Sequence, residues 1–112
     1  MSYGYALRRE HKYGAKRTLY NGEWYDSKKE AAQAAELDLR VRAKDIHGYE
    51  RQVKFDLEVR GVIVARYVAD FLVHHHNGNL EVVEVKGMHT PVWKLKKKMF
   101  EALYKNYKLT VV

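Results

Sequence analysis

The chain has 112 residues, 46% of them hydrophobic, and carries a net charge of +7 from 21 basic and 14 acidic side chains, with no cysteine. Those figures allow one hydrophobic core and exclude a disordered polymer, a disulfide scaffold and a thiolate metal site. They favour a polyanionic partner, nucleic acid before an anionic membrane surface.

No stretch of 18 apolar residues is present, so no membrane span is expected. The first residues, Met1-Ser2-Tyr3-Gly4-Tyr5-Ala6-Leu7-Arg8-Arg9, lack an apolar signal core, which argues against secretion. With no cysteine, a reducing intracellular setting is permitted. Residues 1–19 read as a basic arm in which Arg8, Arg9 and Lys12 can meet phosphates, while interleaved tyrosines can stack on bases. A single domain is expected over 20–112.

Asn21-Gly22 between Tyr20 and Glu23 marks a tight hairpin, because that pair tolerates the positive φ angles the turn needs. Ser27-x-x-Glu30 matches a capping box and starts an alanine-rich helix running to about Lys44, with Gly48 ending the region. Glu30, Ala34, Leu37 and Val41 fall on one stripe of that helix, the face expected to meet a sheet. From Arg51 to Glu58 the pattern alternates, with Val53, Phe55 and Leu57 on one side, as in a half-buried strand. Gly61 turns the chain. Val62 to Val73 is nearly all apolar and predicts a central strand covered on both faces.

A turn near Asn77-Gly78 leads to a strand from Leu80 to Lys86. Thr90-Pro91 then caps a second helix, whose buried stripe is expected at Val92, Leu95, Met99, Leu103 and Tyr107, with Lys94, Lys97, Lys98 and Lys105 on another side. Leu109 to Val112 is a short terminal strand. The fold class is therefore α/β (α+β), a mixed central sheet flanked by helices, in the core order α-β-β-β-α-β.

Three charges interrupt these apolar strands. Asp70 lies inside the first, and Glu84 and Lys86 end the second. A buried charge is costly unless it is paired or bound to a metal. A plain two-residue Asn77-Gly78 loop would pair Asp70 with Val85 and leave Glu84 on the other face. An odd-length loop, or one bulge between Leu72 and Val82, is therefore required if the two carboxylates are to converge. Two adjacent carboxylates without cysteine suit a hard divalent ion, magnesium or manganese. Such an ion can polarise a phosphate and supply hydroxide from bound water. The alternative is a strand-end ion pair with no chemistry.

Asp70, a 13-residue spacer and then Glu84-Val85-Lys86 resemble the signature of the PD-(D/E)XK nuclease superfamily. The blocks Trp24–Ala31, Arg51–Phe55, Tyr67–Phe71 and Val83–Gly87 are similar to its small phage-encoded branch related to Holliday junction resolvases. Ala69 stands where the superfamily's name has proline. The resemblance implies a restriction-endonuclease-like core. It also implies a metal-dependent endonuclease that hydrolyses DNA phosphodiester bonds on branched DNA, acting as a homodimer.

Carried over residue by residue, the resemblance makes Asp70, Glu84 and Val85 ligands of Mg2+ or Mn2+ and Lys86 the catalytic lysine. Glu30 becomes the additional acidic residue, which helps bind the metal or orient water, and Gln52 a neighbour of substrate or attacking water. Lys94, Lys97 and Lys98, on the helix that follows the catalytic strand, become phosphate contacts. The competing function is a basic nucleic-acid-binding module without catalysis. His74-His75-His76 is read as surface sequence flanking a turn, since successive strand residues point to opposite faces.

Overall fold

The computed structural model describes residues 16–112. The expected arm, with Arg8, Arg9 and Lys12, lies mostly outside them. The chain divides into two compact units, one ending at Leu39 and the other beginning at Arg40.

In the first unit, β1 (Thr18–Tyr20) and β2 (Glu23–Tyr25) form an antiparallel hairpin. Asn21 and Gly22 both take positive φ, 52° and 82°, as the dipeptide predicts. Helix α1 (Lys28–Arg42) begins in that unit. Ser27 Oγ accepts from the Glu30 N–H at 3.0 Å, and the Glu30 carboxylate accepts from the Asp26 N–H at 3.0 Å. The first bond satisfies a donor that the first helical turn leaves open, and the second ties Glu30 to the residue before the cap. Glu30, Ala31, Ala34 and Leu37 are the buried residues of α1. The Tyr20 hydroxyl donates to Asp38 at 2.6 Å, tying the hairpin to the helix.

The second unit contains β3 (Gly48–Val59), β4 (Val62–His74), β5 (Leu80–Glu84), α2 (Pro91–Leu103) and β6 (Tyr107–Val111). They form one mixed four-stranded sheet in the order β3-β4-β5-β6, antiparallel except for the β5–β6 pair. Helix α2 provides the crossover that a parallel pair needs. It packs on β3 and β4 through Trp93 and Phe100. Phe100 lies 5.0 Å from Phe55, 5.3 Å from Tyr67 and 5.1 Å from Tyr104, between ring centres. This aromatic cluster is the centre of the core.

Three sequence expectations are corrected here. Val92 and Leu95 are 63% and 59% exposed, Leu103 is exposed too, and Tyr107 belongs to β6. The buried line of α2 is Trp93 and Phe100, seven residues apart, flanked by half-buried Lys96 and Lys97. Aromatic rings bury more area than aliphatic side chains, and lysine stems can cover apolar surface while their ammonium groups stay wet. The helix is therefore rotated by about one residue from the aliphatic stripe. In β4, Val62, Ile63, Val64 and Val68 are exposed, so only the segment from Phe71 to Val73 is buried on both faces as expected of a central strand. The β3–β4 ribbon outruns β5, whose pairing with β4 reaches only from Phe71 to His74. Helix α1 stops at Arg42 rather than about Lys44, and Gly48 is the first residue of β3.

The loop between β4 and β5 sets the site's register. His75 N–H donates to Asn79 C=O and Gly78 N–H to His75 C=O, both at 3.0 Å. The loop proper is therefore His76-Asn77-Gly78, an odd-length connection, with Gly78 at φ 89°. The Asn79 N–H also donates to Asn77 Oδ1 at 2.9 Å, a local bond typical of asparagine turns. Gly78→Ala should lower stability by about 1–2 kcal/mol, since an L side chain resists that φ. Urea denaturation of the two proteins measures the difference.

Candidate active site at the end of the central hairpin

Strands β4 and β5 pair as Phe71↔Val83, Leu72↔Val82, Val73↔Glu81 and His74↔Leu80. One further step in the same register sets Asp70 opposite Glu84. The odd-length loop thus meets the condition that the charges imposed on the sequence. Asp70 Oδ2 accepts from the Val85 N–H at 2.8 Å, which clips the aspartate to the end of β5. Strand β6 supports the same end from the other side. The Val112 N–H donates to Glu84 C=O at 2.9 Å and the Lys86 N–H to Val112 C=O at 3.4 Å.

A second irregularity sits at Asp70 itself. Val53, Phe55 and Leu57 of β3, with Tyr67 and Ala69 of β4, pack into the α2-facing core, and so does Leu72. Ala69 and Leu72 are three residues apart, so regular alternation cannot put both on one face. The alternation slips between them. On β3 the residue opposite is Gln52, which takes φ 53°. Its flanking pairs, Arg51↔Phe71 and Val53↔Ala69, keep register while Gln52 and Asp70 drop out of the ladder. A left-handed non-glycine residue inside a strand is unfavourable and is found most often at functional positions. Gln52 and Asp70 are therefore neighbours across the two strands, both released from the regular pleat.

Glu84 is 4% exposed. Its Oε1 accepts from the Tyr67 hydroxyl at 2.6 Å, and its Oε2 lies 3.6 Å from Lys86 Nζ. Burial raises the Glu84 pKa. The Tyr67 hydrogen bond, the Lys86 charge and a backbone hydrogen bond from Asp70 pull the other way without cancelling it. Burial, with the adjacent Glu84, also raises the Tyr67 pKa, so that hydroxyl keeps its proton and acts as a donor. Lys86 Nζ sits 5.4 Å above the ring of Trp93, a cation–π contact. Trp93 is buried, its Nε1 has no hydrogen-bond partner among the described residues, and the His89 ring meets it edge-on at 4.9 Å. Packing and the lysine, not a hydrogen bond, hold the indole there. Tyr67 and Trp93 carried no signal for this role in the sequence, because each reads as an ordinary core aromatic.

The remaining candidates are placed as follows. Glu30 belongs to the first unit, where it is 5% exposed, its N–H is capped by Ser27 and its carboxylate accepts from the Asp26 N–H, one residue before the cap. Lys94 and Lys98 are exposed on α2, and Lys97 pairs with Glu101 at 3.0 Å. His74, His75 and His76 take three separate partners: Glu50, Glu81 and the Lys44 carbonyl. No three His, Asp or Glu side chains among the described residues converge on one point that could hold a metal. The protein's own donors at the hairpin end are thus the carboxylates of Asp70 and Glu84. That set fits Mg2+, which is usually bound through one or two carboxylates and keeps several waters or phosphate oxygens.

The fold and site define a small mixed α+β domain with an Asp, Glu and Lys cluster at one end of its central hairpin. Residues 10–112 match a family model described as a protein of unknown function, DUF1064, and the chain belongs to that family. No curated protein and no solved structure matches it. Among the described residues, no helix is long and apolar enough to cross a membrane.

Proposed function

We propose that this protein is a metal-dependent endonuclease of the PD-(D/E)XK type, cutting DNA and acting on branched duplexes inside the cell. One observation carries the proposal: the Asp70 carboxylate is held on the N–H of Val85, the residue after Glu84, and Lys86 Nζ lies 3.6 Å from Glu84, beside the buried pairs Phe71↔Val83 and Leu72↔Val82. Asp70, Glu84 and the Val85 carbonyl would hold Mg2+ or Mn2+. When bound, that ion supplies a polarised phosphate and water acidified toward neutral pH.

The chain's own residues do the rest. Lys86, held between Glu84 and Trp93, presents an ammonium where charge develops on the phosphoryl oxygens. Gln52, beside Asp70, offers an amide to a phosphate oxygen or to the water. Lys94 and Lys98, exposed on the helix that follows, bind flanking phosphates. The net charge of +7 supports a polyanionic substrate. Symmetric cutting of a four-way junction requires a homodimer.

The test is incubation with Mg2+ or Mn2+ across a panel of linear duplex, single strand, flap and four-way junction. Metal-dependent cleavage of the junction is expected, and no cleavage of any member overturns the proposal. The small donor set favours one competing function, a basic DNA-binding module whose carboxylates are structural. Such a module binds the same panel and cuts none of it.

The Trp93 contact makes a separate prediction. Trp93→Leu should slow cleavage by about tenfold, the equivalent of the 1–2 kcal/mol attributed to a desolvated cation–π contact. Trp93→Phe, which keeps a ring face and loses no hydrogen bond, should recover most of it. Single-turnover rates at saturating enzyme separate this loss from weakened DNA binding.

A further inference from the structure

A concave surface lies at the end of β5 opposite the carboxylates. A cleft of about 630 Å3 is lined by His75, Asn77, Asn79, Lys105, Asn106 and Lys108, with Leu80, Glu81 and Tyr107 also contributing. It is built where the β4–β5 turn meets the connection from α2 to β6. Its register is fixed by the parallel pairs Leu80↔Tyr107 and Glu81↔Lys108.

The charge exposed there is positive. The one carboxylate, Glu81, has both oxygens engaged: Oε1 with His75 Nε2 at 2.8 Å and Oε2 with the Thr110 hydroxyl at 2.6 Å. Burial opposes its ionised form, but those two hydrogen bonds, with the Lys108 and His75 charges, outweigh it and hold Glu81 below the ordinary carboxylate range. Lys105 and Lys108 are exposed, and neither enters an ion pair among the described residues. Asn77 spends its Oδ1 on the Asn79 N–H, which leaves the amide NH2 as its remaining donor. Two ammonium groups and several amide donors around one concavity match a phosphate, to which lysine and asparagine donors commonly bind.

We propose that this cleft is a phosphodiester-binding subsite for the DNA strand that also enters the carboxylate site. This inference rests on the nuclease function and extends it. From Leu80 and Glu81 at the cleft to Glu84 at the site is three to four residues of one strand, about 10–13 Å at strand rise. One DNA strand places a phosphate about every 3.4 Å along the helix axis. Successive phosphates also wind around that axis and lie roughly twice that rise apart through space, so the cleft holds a phosphodiester about two nucleotides from the one cut.

The first test measures binding alone. Affinity for a labelled four-way junction is followed by fluorescence anisotropy in EDTA over a series of KCl concentrations. In Lys105→Ala/Lys108→Ala the slope of log affinity against log salt should become shallower by about one, the loss of roughly one neutralised phosphate. Arg60→Ala, which removes a charge at the β3–β4 turn, should leave the slope unchanged. An unchanged slope in the double variant, or an equal change in Arg60→Ala, overturns the subsite.

The second test needs no variant to fold. A neutral methylphosphonate at about the second phosphodiester from the cut should weaken wild-type binding, while one at the tenth should not. Equal effects at both positions overturn the subsite. Millimolar deoxynucleoside monophosphate is added as a competitor. If it binds wild type and not the double variant while the DNA slope is unchanged, the cleft is a free-nucleotide site and the proposal fails. Because the slope is read without cleavage, failure of the subsite and failure of the nuclease function are distinguishable. A protein that never cuts can still show the slope change, and a working nuclease can lack it.

Discussion

Asp70→Asn should slow metal-dependent cleavage by about 10²–10³-fold in single-turnover rate, while leaving DNA affinity in EDTA unchanged or slightly tighter. The magnitude is that of removing one preorganised electrostatic group from a catalytic site. The substitution is chosen because asparagine keeps an oxygen to accept the Val85 N–H, now made at 2.8 Å by Asp70 Oδ2. The clip between β4 and β5 therefore survives, and only the negative charge is lost. Lys86→Ala should be comparably slow for a different reason. It removes the ammonium 3.6 Å from Glu84 but no candidate metal ligand. Stabilisation by Mg2+ should thus disappear in Asp70→Asn and persist in Lys86→Ala. If both variants cleave at the wild-type rate, the cluster is a structural ion pair and the chain is a binding module. If both lose Mg2+ stabilisation alike, the assignment of Lys86 to chemistry rather than metal binding is wrong.

The features legible in the sequence were those with a local cause. Asn21-Gly22 encodes its own positive φ angles, Ser27 and Glu30 their own cap, and Thr90-Pro91 theirs. In α2, Thr90 Oγ1 accepts from the Trp93 N–H at 3.1 Å. The paired register of Asp70 and Glu84 was also legible, although it is long-range, because buried charge is costly enough to select among loop lengths.

Features decided by tertiary packing were not legible. Which face α2 buries depends on Phe100 finding Phe55, Tyr67 and Tyr104, and an aliphatic stripe competes with that choice in the sequence. The left-handed φ of Gln52 leaves no mark, since glutamine has no preference for it. Tyr67 reaches Glu84 across 17 residues of chain. In an unbroken strand Tyr67 and Asp70 would lie on opposite faces, and the slip between Ala69 and Leu72 removes that separation.

Glu84→Gln should make the metal-free protein more stable at neutral pH, the reverse of the usual effect of altering a buried, hydrogen-bonded residue. Burial raises the Glu84 pKa against the combined pull of Tyr67, Lys86 and the Asp70 backbone. A carboxyl whose folded pKa is raised contributes stability that is fully present below its unfolded pKa. That stability is lost as pH rises through the folded value. Above that value the fold holds an ionised carboxylate that is 4% exposed, and the neutral amide removes this cost. The stability gap between variant and wild type should therefore open as pH rises from the ordinary carboxylate range and close below it.

A divalent ion acts in the opposite direction, because it binds the ionised, folded site and not the unfolded chain. At about 100 times its dissociation constant it adds about 2.7 kcal/mol, worth roughly 10 °C or more in Tm for a domain of this size. Wild type should gain that shift with Mg2+ or Mn2+, and Glu84→Gln should lose most of it. Thermal melts with and without metal, at pH values on either side of the Glu84 transition, measure both effects. A Glu84→Gln protein that is less stable than wild type at neutral pH, or equally stabilised by metal, would show that Glu84 serves the fold through Tyr67 and Lys86 and holds no cation.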